Sequence, residues 1–371
     1  MKITKLETIH VKPRWLFLKI HTDEGIVGLG EPIVEGRTLT TETAVHEIGR
    51  YIIGQDPRRI EHHWQAIYRD AFYRGGPVLT SALSGVEQAL WDITGKWLGV
   101  PVWQLLGGNT RDKIRVYGHF GGRTIEENNA SAKAAIARGF TALKTGPGGT
   151  WNIVDSYAKI TEFVARFASL RQAVGDGIDI AVDFHGRISP AMAIPLCREL
   201  EPYHPFFVEE PCQAQNVDTM VTIARSTTIP IATGERLFTK WGFREVLEKQ
   251  ACVIVQPDLS HAGGILEVKK IAAMAEAYYA AVAPHCPLGP IALAACLQVD
   301  ACVPNFLCQE QVNLGDGYLK ESFKVSDGYI PLPTKPGLGI ELDDAAVAEK
   351  VFSGDWENPA QRYPDGSVSD W

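Results

Sequence analysis

The chain opens with alternating apolar and polar positions. Lys2–Val11 and Trp15–His21 each read as a strand, with Thr22-Asp23-Glu24-Gly25 as the turn after them and Ile26–Leu29 as a third strand. Helical spacing follows. Asp56-Pro57 reads as a helix start, a capping side chain ahead of proline at the first position. Between Ser81 and Leu98 the residues Leu83, Val86, Leu90, Ile93 and Trp97 fall on one helical face, the pattern of a helix packed against a core.

From about residue 114 the grammar changes. Eight short apolar runs, each ending in polar residues, alternate with helical stretches: Val116–Phe120, Ala142–Lys144, Ile178–His185, Phe206–Glu210, Pro230–Glu235, Val253–Asp258, Val282–His285 and Phe306–Glu310. Polar residues at the ends of the last six recur at intervals of 26, 26, 23, 27 and 25 residues, from Asp183 through Glu209, Glu235, Asp258 and His285 to Glu310. That interval holds one strand, one helix and two loops. Eight parallel strands at this spacing predict an α/β fold of the (β/α) barrel type. The tail from about 320 is rich in proline and glycine between Gly328 and Leu342, cannot form a ninth unit, and is expected to pack back on the N-terminal segment. The expected division is residues 1–113, 114–319 and 320–371.

Composition narrows the function. Of 371 residues, 45% are hydrophobic and 22% charged, which excludes a disordered chain. The net charge of −8 argues against a nucleic-acid partner. No apolar run approaches a membrane span, and the N-terminus lacks the unbroken apolar stretch of a signal peptide. Seven cysteines without a CxxC pair read as reduced, buried thiols. A cytoplasmic protein with no membrane partner is expected.

In a barrel the C-terminal ends of the strands share one mouth, so residues distant in sequence converge there. Asp183 and His185 alternate onto one face of their strand. Asp183, a glutamate of the pair Glu209-Glu210, and Glu235 end three consecutive strands. An oxygen-only donor set of this kind suits Mg²⁺. Spacing does not choose between Glu209 and Glu210. Asp258 and His285 end neighbouring strands, where a carboxylate on one imidazole nitrogen raises the basicity of the other and makes a general base. His185 lies across the ring, placed to protonate a leaving group. Glu310 either donates to a developing oxyanion or orients substrate, and Lys144 can neutralise a substrate carboxylate. His10, His46, His62, His63 and His204 carry no such company, and His261 is left without a role.

These residues resemble a known family. Asp183-Phe184-His185, Glu209-Glu210-Pro211, Gly234-Glu235-Arg236, Gln256-Pro257-Asp258, the run from Ala283 to Pro290 and Gln309-Glu310 are similar to the enolase superfamily, mandelate racemase subgroup. The resemblance spans Met1 to Trp371 and includes Phe72-Tyr73-Arg74-Gly75-Gly76-Pro77. It implies a modified (β/α)₇β barrel beneath an α+β capping domain made from the N-terminal segment and the tail. It implies Mg²⁺ on Asp183, Glu209 and Glu235, which selects Glu209 over Glu210. It makes His285 the base, Asp258 its partner, His185 the acid and Glu310 the stabiliser of the enolate; a histidine base beside Mg²⁺ is a known pattern of this superfamily. Lys144, Arg236, Arg14 and Trp15 are the expected substrate contacts.

The implied activity is a hydro-lyase: an acid-sugar dehydratase that removes the C2 proton of an aldonate and eliminates the 3-hydroxyl, giving a 2-keto-3-deoxy acid. D-galactonate is the first expected substrate, with gluconate or arabinonate as alternatives. Family members commonly assemble, so a homo-oligomer is expected. A racemase would need two bases on one carbon. The family's racemases carry Lys-x-Lys at the end of strand two, where this chain has Lys144-Thr145-Gly146. A non-catalytic sugar-acid binder would keep the metal ligands and lack the Asp258–His285 pair.

Overall fold

The alternating opening folds as an antiparallel meander of β1 (Ile3–Val11), β2 (Trp15–Thr22) and β3 (Val27–Gly30), in a computed structural model that describes residues 1–371. The central strand β2 is buried on both faces. Leu18 and Ile20 join the cap's own core, while Trp15 and Phe17 turn the other way and pack on Tyr318. Three helices follow, α1 (Thr38–Ile52), α2 (Ile60–Arg69) and α3 (Gly76–Leu98).

Two expectations need correction here. The α2 helix starts at Ile60 and not at Pro57, because Asp56 accepts the Arg58 N–H at 3.0 Å and so closes a turn instead of capping a helix. On α3, Leu83, Val86, Leu90 and Ile93 are buried as the spacing predicts, but Trp97 is exposed and covered on one face by the Arg58 guanidinium, 4.5 Å from the ring centre.

A short helix α4 (Val102–Leu105) and β4 (Lys113–Arg115) lead into the barrel. Its strands are β5 (Gly118–His119), β6 (Ala142–Thr145), β7 (Asp179–Asp183), β8 (Val208–Glu209), β9 (Ile231–Thr233), β10 (Ile254–Val255) and β11 (Ala281–Val282), parallel neighbours in chain order. Between them run α5 (Ile125–Ala137), α6 (Tyr157–Val174), α7 (Pro190–Leu200), α8 (Val217–Ala224), α9 (Thr239–Glu248), α10 (Ile265–Ala277) and, after β11, α11 (Pro290–Cys302). The eighth run closes the ring: Phe306 bridges Val282 and Gln309 bridges Val116, both parallel. The result is the expected (β/α)₇β barrel. Its interior holds one side chain from each of the eight runs, Tyr117, Ala142, Ala181, Phe207, Ala232, Ile254, Ala283 and Cys308. Four alanines make room for the two large rings.

The tail adds β12 (Tyr329–Pro331), antiparallel to β4, and α12 (Asp344–Ala348). It touches the cap through a Val11–Val351 bridge and through Lys12 N–H donating to the Lys350 carbonyl at 2.8 Å. All seven cysteines are buried and free. No helix is long and apolar enough to cross a membrane.

Helix capping explains how the cap is seated. Helices α5, α6, α7 and α8 begin with their own cap, Thr124, Ser156, Ser189 and Asn216, whose side chains accept main-chain N–H groups. Helices α10 and α11 begin after Gly264 and Gly289, which have no side chain to offer. Carboxylates from the cap do that job. Glu87 accepts from Ile265 and Leu266 at 2.7 and 2.9 Å, and Glu31 accepts from Gly289 and Ala292 at 2.7 and 2.9 Å. A Cβ on either glycine would collide with that carboxylate. Each contact caps a helix N-terminus, worth about 1 kcal/mol in ordinary settings.

Candidate active site

Parity along the strands decides what faces the mouth. Two residues beyond the barrel-interior positions Tyr117, Ala142, Ala181, Phe207, Ala283 and Cys308 stand His119, Lys144, Asp183, Glu209, His285 and Glu310. Side chains two apart share a strand face, so these six turn inward together. Glu235 breaks the parity of β9 because Gly234 intervenes with φ 144°, and Asp258 sits four residues beyond Ile254. A cavity of ≈ 720 Å³ lies above this ring, lined among others by Lys144, Asp183, His185, Glu235, His285 and Glu310.

Glu210, which points away, is committed elsewhere. It accepts from Thr233 Oγ1, from the Gly234 N–H at 3.1 Å and from both Nε and Nη2 of Arg236. Arg236 also donates to Gln213 at 2.6 Å. Its guanidinium borders the cavity with most of its donors already used.

Lys144 is the hub of the inward set. Its ammonium lies 2.8 Å from Glu209 Oε1, 2.6 Å from Glu310 Oε1 and 3.7 Å from Asp183 Oδ2. Burial opposes its charge, yet Glu209 and Glu310 outweigh burial and hold its pKa well above the lysine range. Burial pushes Glu209 up to about 7, against the pull of Lys144. Burial also raises Glu235 well above the carboxylate range, with Glu210 and Asp183 adding to the effect. Glu310 differs. Burial acts against its charge, but Lys144, His285 and His119 overcome it and hold the carboxyl well below the usual range. Glu310 Oε2 accepts the Cys286 N–H at 2.9 Å.

Asp183, Glu209 and Glu235, at the ends of three successive barrel strands, form an all-oxygen donor set of the kind a hard divalent cation takes. Glu209 Oε2 is buried with no hydrogen-bond partner, an acceptor left open for a ligand. As placed, no three His, Cys, Asp or Glu groups gather on one point. Glu209 instead shares its charge with Lys144, and Glu235 turns to His285, whose Nε2 is 3.3 Å from Glu235 Oε2.

His285 receives Asp258 Oδ2 on Nδ1 at 2.9 Å, and Asp258 Oδ1 accepts the Ser260 N–H at 2.7 Å. Burial disfavours the charged imidazole, but Glu235, Glu310 and Asp258 outweigh it and raise His285 well above the histidine range. His185 has the opposite balance: burial leads, and its pKa is lowered. His185 Nδ1 lies 3.1 Å from the main-chain oxygen of Trp371. His261 bonds Ser81 of the cap through Nδ1 at 2.8 Å, stands 3.8 Å from Asp258 Oδ2 and lines the same cavity. His63, by contrast, is a satisfied core residue between Tyr51 and the Asp56 carbonyl.

Of the other expected contacts, Arg14 borders the cavity, paired with Glu35 at 2.5 Å. Trp15 does not line it. Its ring is buried between Phe17 and Tyr318, because β2 turns that face toward the tail, so a substrate contact at Trp15 is not where the structure puts this side chain. Sequence reasoning passed over His119, whose Nε2 is 3.0 Å from Glu310 Oε1, although it ends the first barrel run. It also passed over Arg187 and Trp371, which line the cavity. Nothing in the tail's pattern flagged Trp371.

Family models match the chain over residues 4–107, as a mandelate racemase / muconate lactonizing enzyme N-terminal domain, and over residues 127–346, as an enolase C-terminal domain-like unit. The chain belongs to the enolase superfamily, in its mandelate racemase subgroup. Similar proteins include D-galactonate dehydratases from Pectobacterium atrosepticum and Ralstonia nicotianae, each 51% identical across the whole of both chains. Among solved structures, a mandelate racemase/muconate lactonizing enzyme from Sulfitobacter sp. superposes with a TM-score of 0.93 at 35% identity over the full length of both. One of the same description from Jannaschia sp. CCS1 gives 0.90 at 34% identity, covering 95% of this chain and 98% of that one.

Proposed function

We propose that this chain is a Mg²⁺-dependent acid-sugar dehydratase that converts an aldonate, D-galactonate first among candidates, into a 2-keto-3-deoxy acid. The observation that carries the reading is the Asp258–His285 pair at 2.9 Å, facing a cavity that a second histidine, His185, also lines. Full-length likeness to D-galactonate dehydratases supports the substrate class.

Asp183, Glu209 and Glu235 would hold the cation. A bound Mg²⁺ would supply Lewis acidity next to the substrate carboxylate, offsetting the charge that builds as C2 loses its proton. His285 takes that proton on Nε2 while Asp258 keeps the Nδ1 proton in place. Glu235 belongs to the cation set, so its pull on His285 is the part a bound cation offsets. Lys144 faces the substrate carboxylate with its charge secured by Glu209 and Glu310. Glu310 fixes Lys144 and His119 at the edge of the cavity, where it can meet a substrate oxygen. His185 delivers a proton from Nε2 to the departing 3-hydroxyl, and the enol tautomerises to the 2-keto acid.

A racemase is disfavoured at Gly146. A Cβ there would run into the main-chain oxygen of Asp183, so no second base fits at this position on the present backbone. The test is a panel of aldonates and aldarates with Mg²⁺, assayed for 2-keto acid. D-galactonate is expected to react. If only an aldarate does, the substrate class is wrong and the superfamily membership alone stands.

A further inference from the structure

Of the histidines that line the cavity, His285 and His185 are oriented from different places. His285 takes its partner from the next barrel strand. His185 takes its partner from the tail, 186 residues away in sequence. Its backbone lies in the left-handed region, φ 55°, with its N–H donating to Asp183 Oδ1 at 2.6 Å, so the main chain is fixed and the ring projects toward the mouth. There Nδ1 meets the main-chain oxygen of Trp371 at 3.1 Å, and the indole stands edge-on to the imidazole, with centres 4.9 Å apart and planes at 68°. The ring of Trp371 also lies 5.9 Å from the guanidinium carbon of Arg187.

The tail arrives at this point well anchored. Asn358 lies against Gly36 of the cap. Tyr363 OH donates to the Trp151 carbonyl at 2.9 Å, tying the tail to the loop after β6. An Arg362–Val368 bridge, with Tyr363 N–H donating to the Ser367 carbonyl at 2.9 Å, turns the chain back toward the cavity.

We propose that Trp371 is a positioning residue for His185. Its main-chain oxygen accepts the Nδ1 proton, which fixes the tautomer and leaves Nε2 as the nitrogen that faces substrate. Its indole keeps water from the outer side of the imidazole. The inference rests on the reading of His185 as the acid that protonates the leaving hydroxyl. Proton removal by His285 does not pass through Trp371; loss of the hydroxyl does. Trp371 therefore sets how enolised substrate divides between elimination and return.

The experiment follows D-galactonate with Mg²⁺ in D₂O by proton NMR and reads two quantities, 2-keto-3-deoxy acid formed and deuterium gained at C2 of recovered substrate. Trp371→Ala removes the ring, a chain ending at Asp370 removes ring and oxygen, and Trp371→Phe keeps an aromatic edge. Elimination is expected to fall about 10-fold in Trp371→Ala and further in the shortened chain, below the 10²–10⁴ a general acid supplies. The ratio of exchanged substrate to product should rise in both, with Trp371→Phe nearer the parent. A merely structural role lowers exchange and elimination together and leaves the ratio unchanged, which overturns the proposal, as does unaltered elimination in both variants. If the shortened chain fails to fold, the Ala and Phe variants decide. His185→Asn, run alongside, separates the two ideas: if it eliminates normally, the reading of His185 is what fails.

Discussion

Asp258 Oδ2 and His285 Nδ1 stand 2.9 Å apart on neighbouring barrel strands, and the carboxylate's other oxygen is fixed by the Ser260 N–H. His185 has no Asp or Glu side chain within hydrogen-bonding distance of its ring, which meets the Trp371 main-chain oxygen instead, and carries a lowered pKa, where His285 carries a raised one. The two imidazoles therefore differ in what orients them, a carboxylate for His285 and a main-chain oxygen for His185.

This division gives the first prediction. His285→Asn should abolish both dehydration and C2 deuterium exchange, while His185→Asn should impair dehydration and leave exchange detectable. Losses of 10²–10⁴-fold are expected for either. Exchange that survives in His285→Asn and vanishes in His185→Asn would reverse the assignment.

The two adjacent glutamates should behave differently. Glu209→Gln is expected to weaken Mg²⁺ binding, measured by calorimetry on chelator-treated protein. Glu210→Gln should leave Mg²⁺ affinity near that of the parent and cost stability on the order of 3 kcal/mol, because it strips the buried partner from Arg236. Equal Mg²⁺ affinity in the parent and Glu209→Gln would remove Glu209 from the cation set. Chelator treatment should itself abolish activity, and added Mg²⁺ restore it.

Gly146→Ala should destabilise by about 1–3 kcal/mol, the range for forced overpacking, because the new methyl meets the Asp183 main chain. The displacement acts on a proposed cation ligand, so Mg²⁺ affinity should drop with Tm. An unchanged Tm would show that the β6–β7 ends have room this structure does not display.

The cap carboxylates predict a pH dependence. Burial pushes Glu31 up to about 8 and Glu87 up to about 7, against the helix N–H groups they accept from. A carboxyl whose folded-state pKa exceeds its unfolded value of about 4.3 holds its proton more tightly when folded. Its contribution is complete below the unfolded pKa and is lost as pH climbs through the folded one. Thermal stability should therefore decline between about pH 5 and 8, and Glu31→Gln should flatten part of that decline. Parallel Tm–pH curves for parent and variant would contradict this.

Much of this was legible because barrel grammar is local. The eight runs, their spacing and their polar ends are properties of short segments, and all eight runs lie on the ring. The choice between Glu209 and Glu210 was also present in the sequence, as parity with an interior Phe207, but it becomes readable only once the interior residue is known. The same rule carried from Tyr117 reaches His119. Trp15 misled because a strand covered on both faces offers no polar side to mark its direction. Trp371, Glu31 and Glu87 were beyond reach for a different reason: each acts at a place set by how separate units meet, and no local period encodes that.

The glycines that start α10 and α11 limit modularity. A barrel whose helices all carry their own caps could exchange lids freely, and a new lid would need only to fit the mouth. Here two barrel helices are finished by acids on the lid, at Glu87 and Glu31, and each glycine is kept small to admit its acid. A chimaera that grafts a relative's cap onto this barrel must bring both carboxylates in register or leave two helix starts frayed. One of those starts, Gly289, lies four residues past His285, so a mismatched lid would loosen the base before it ever touched a substrate.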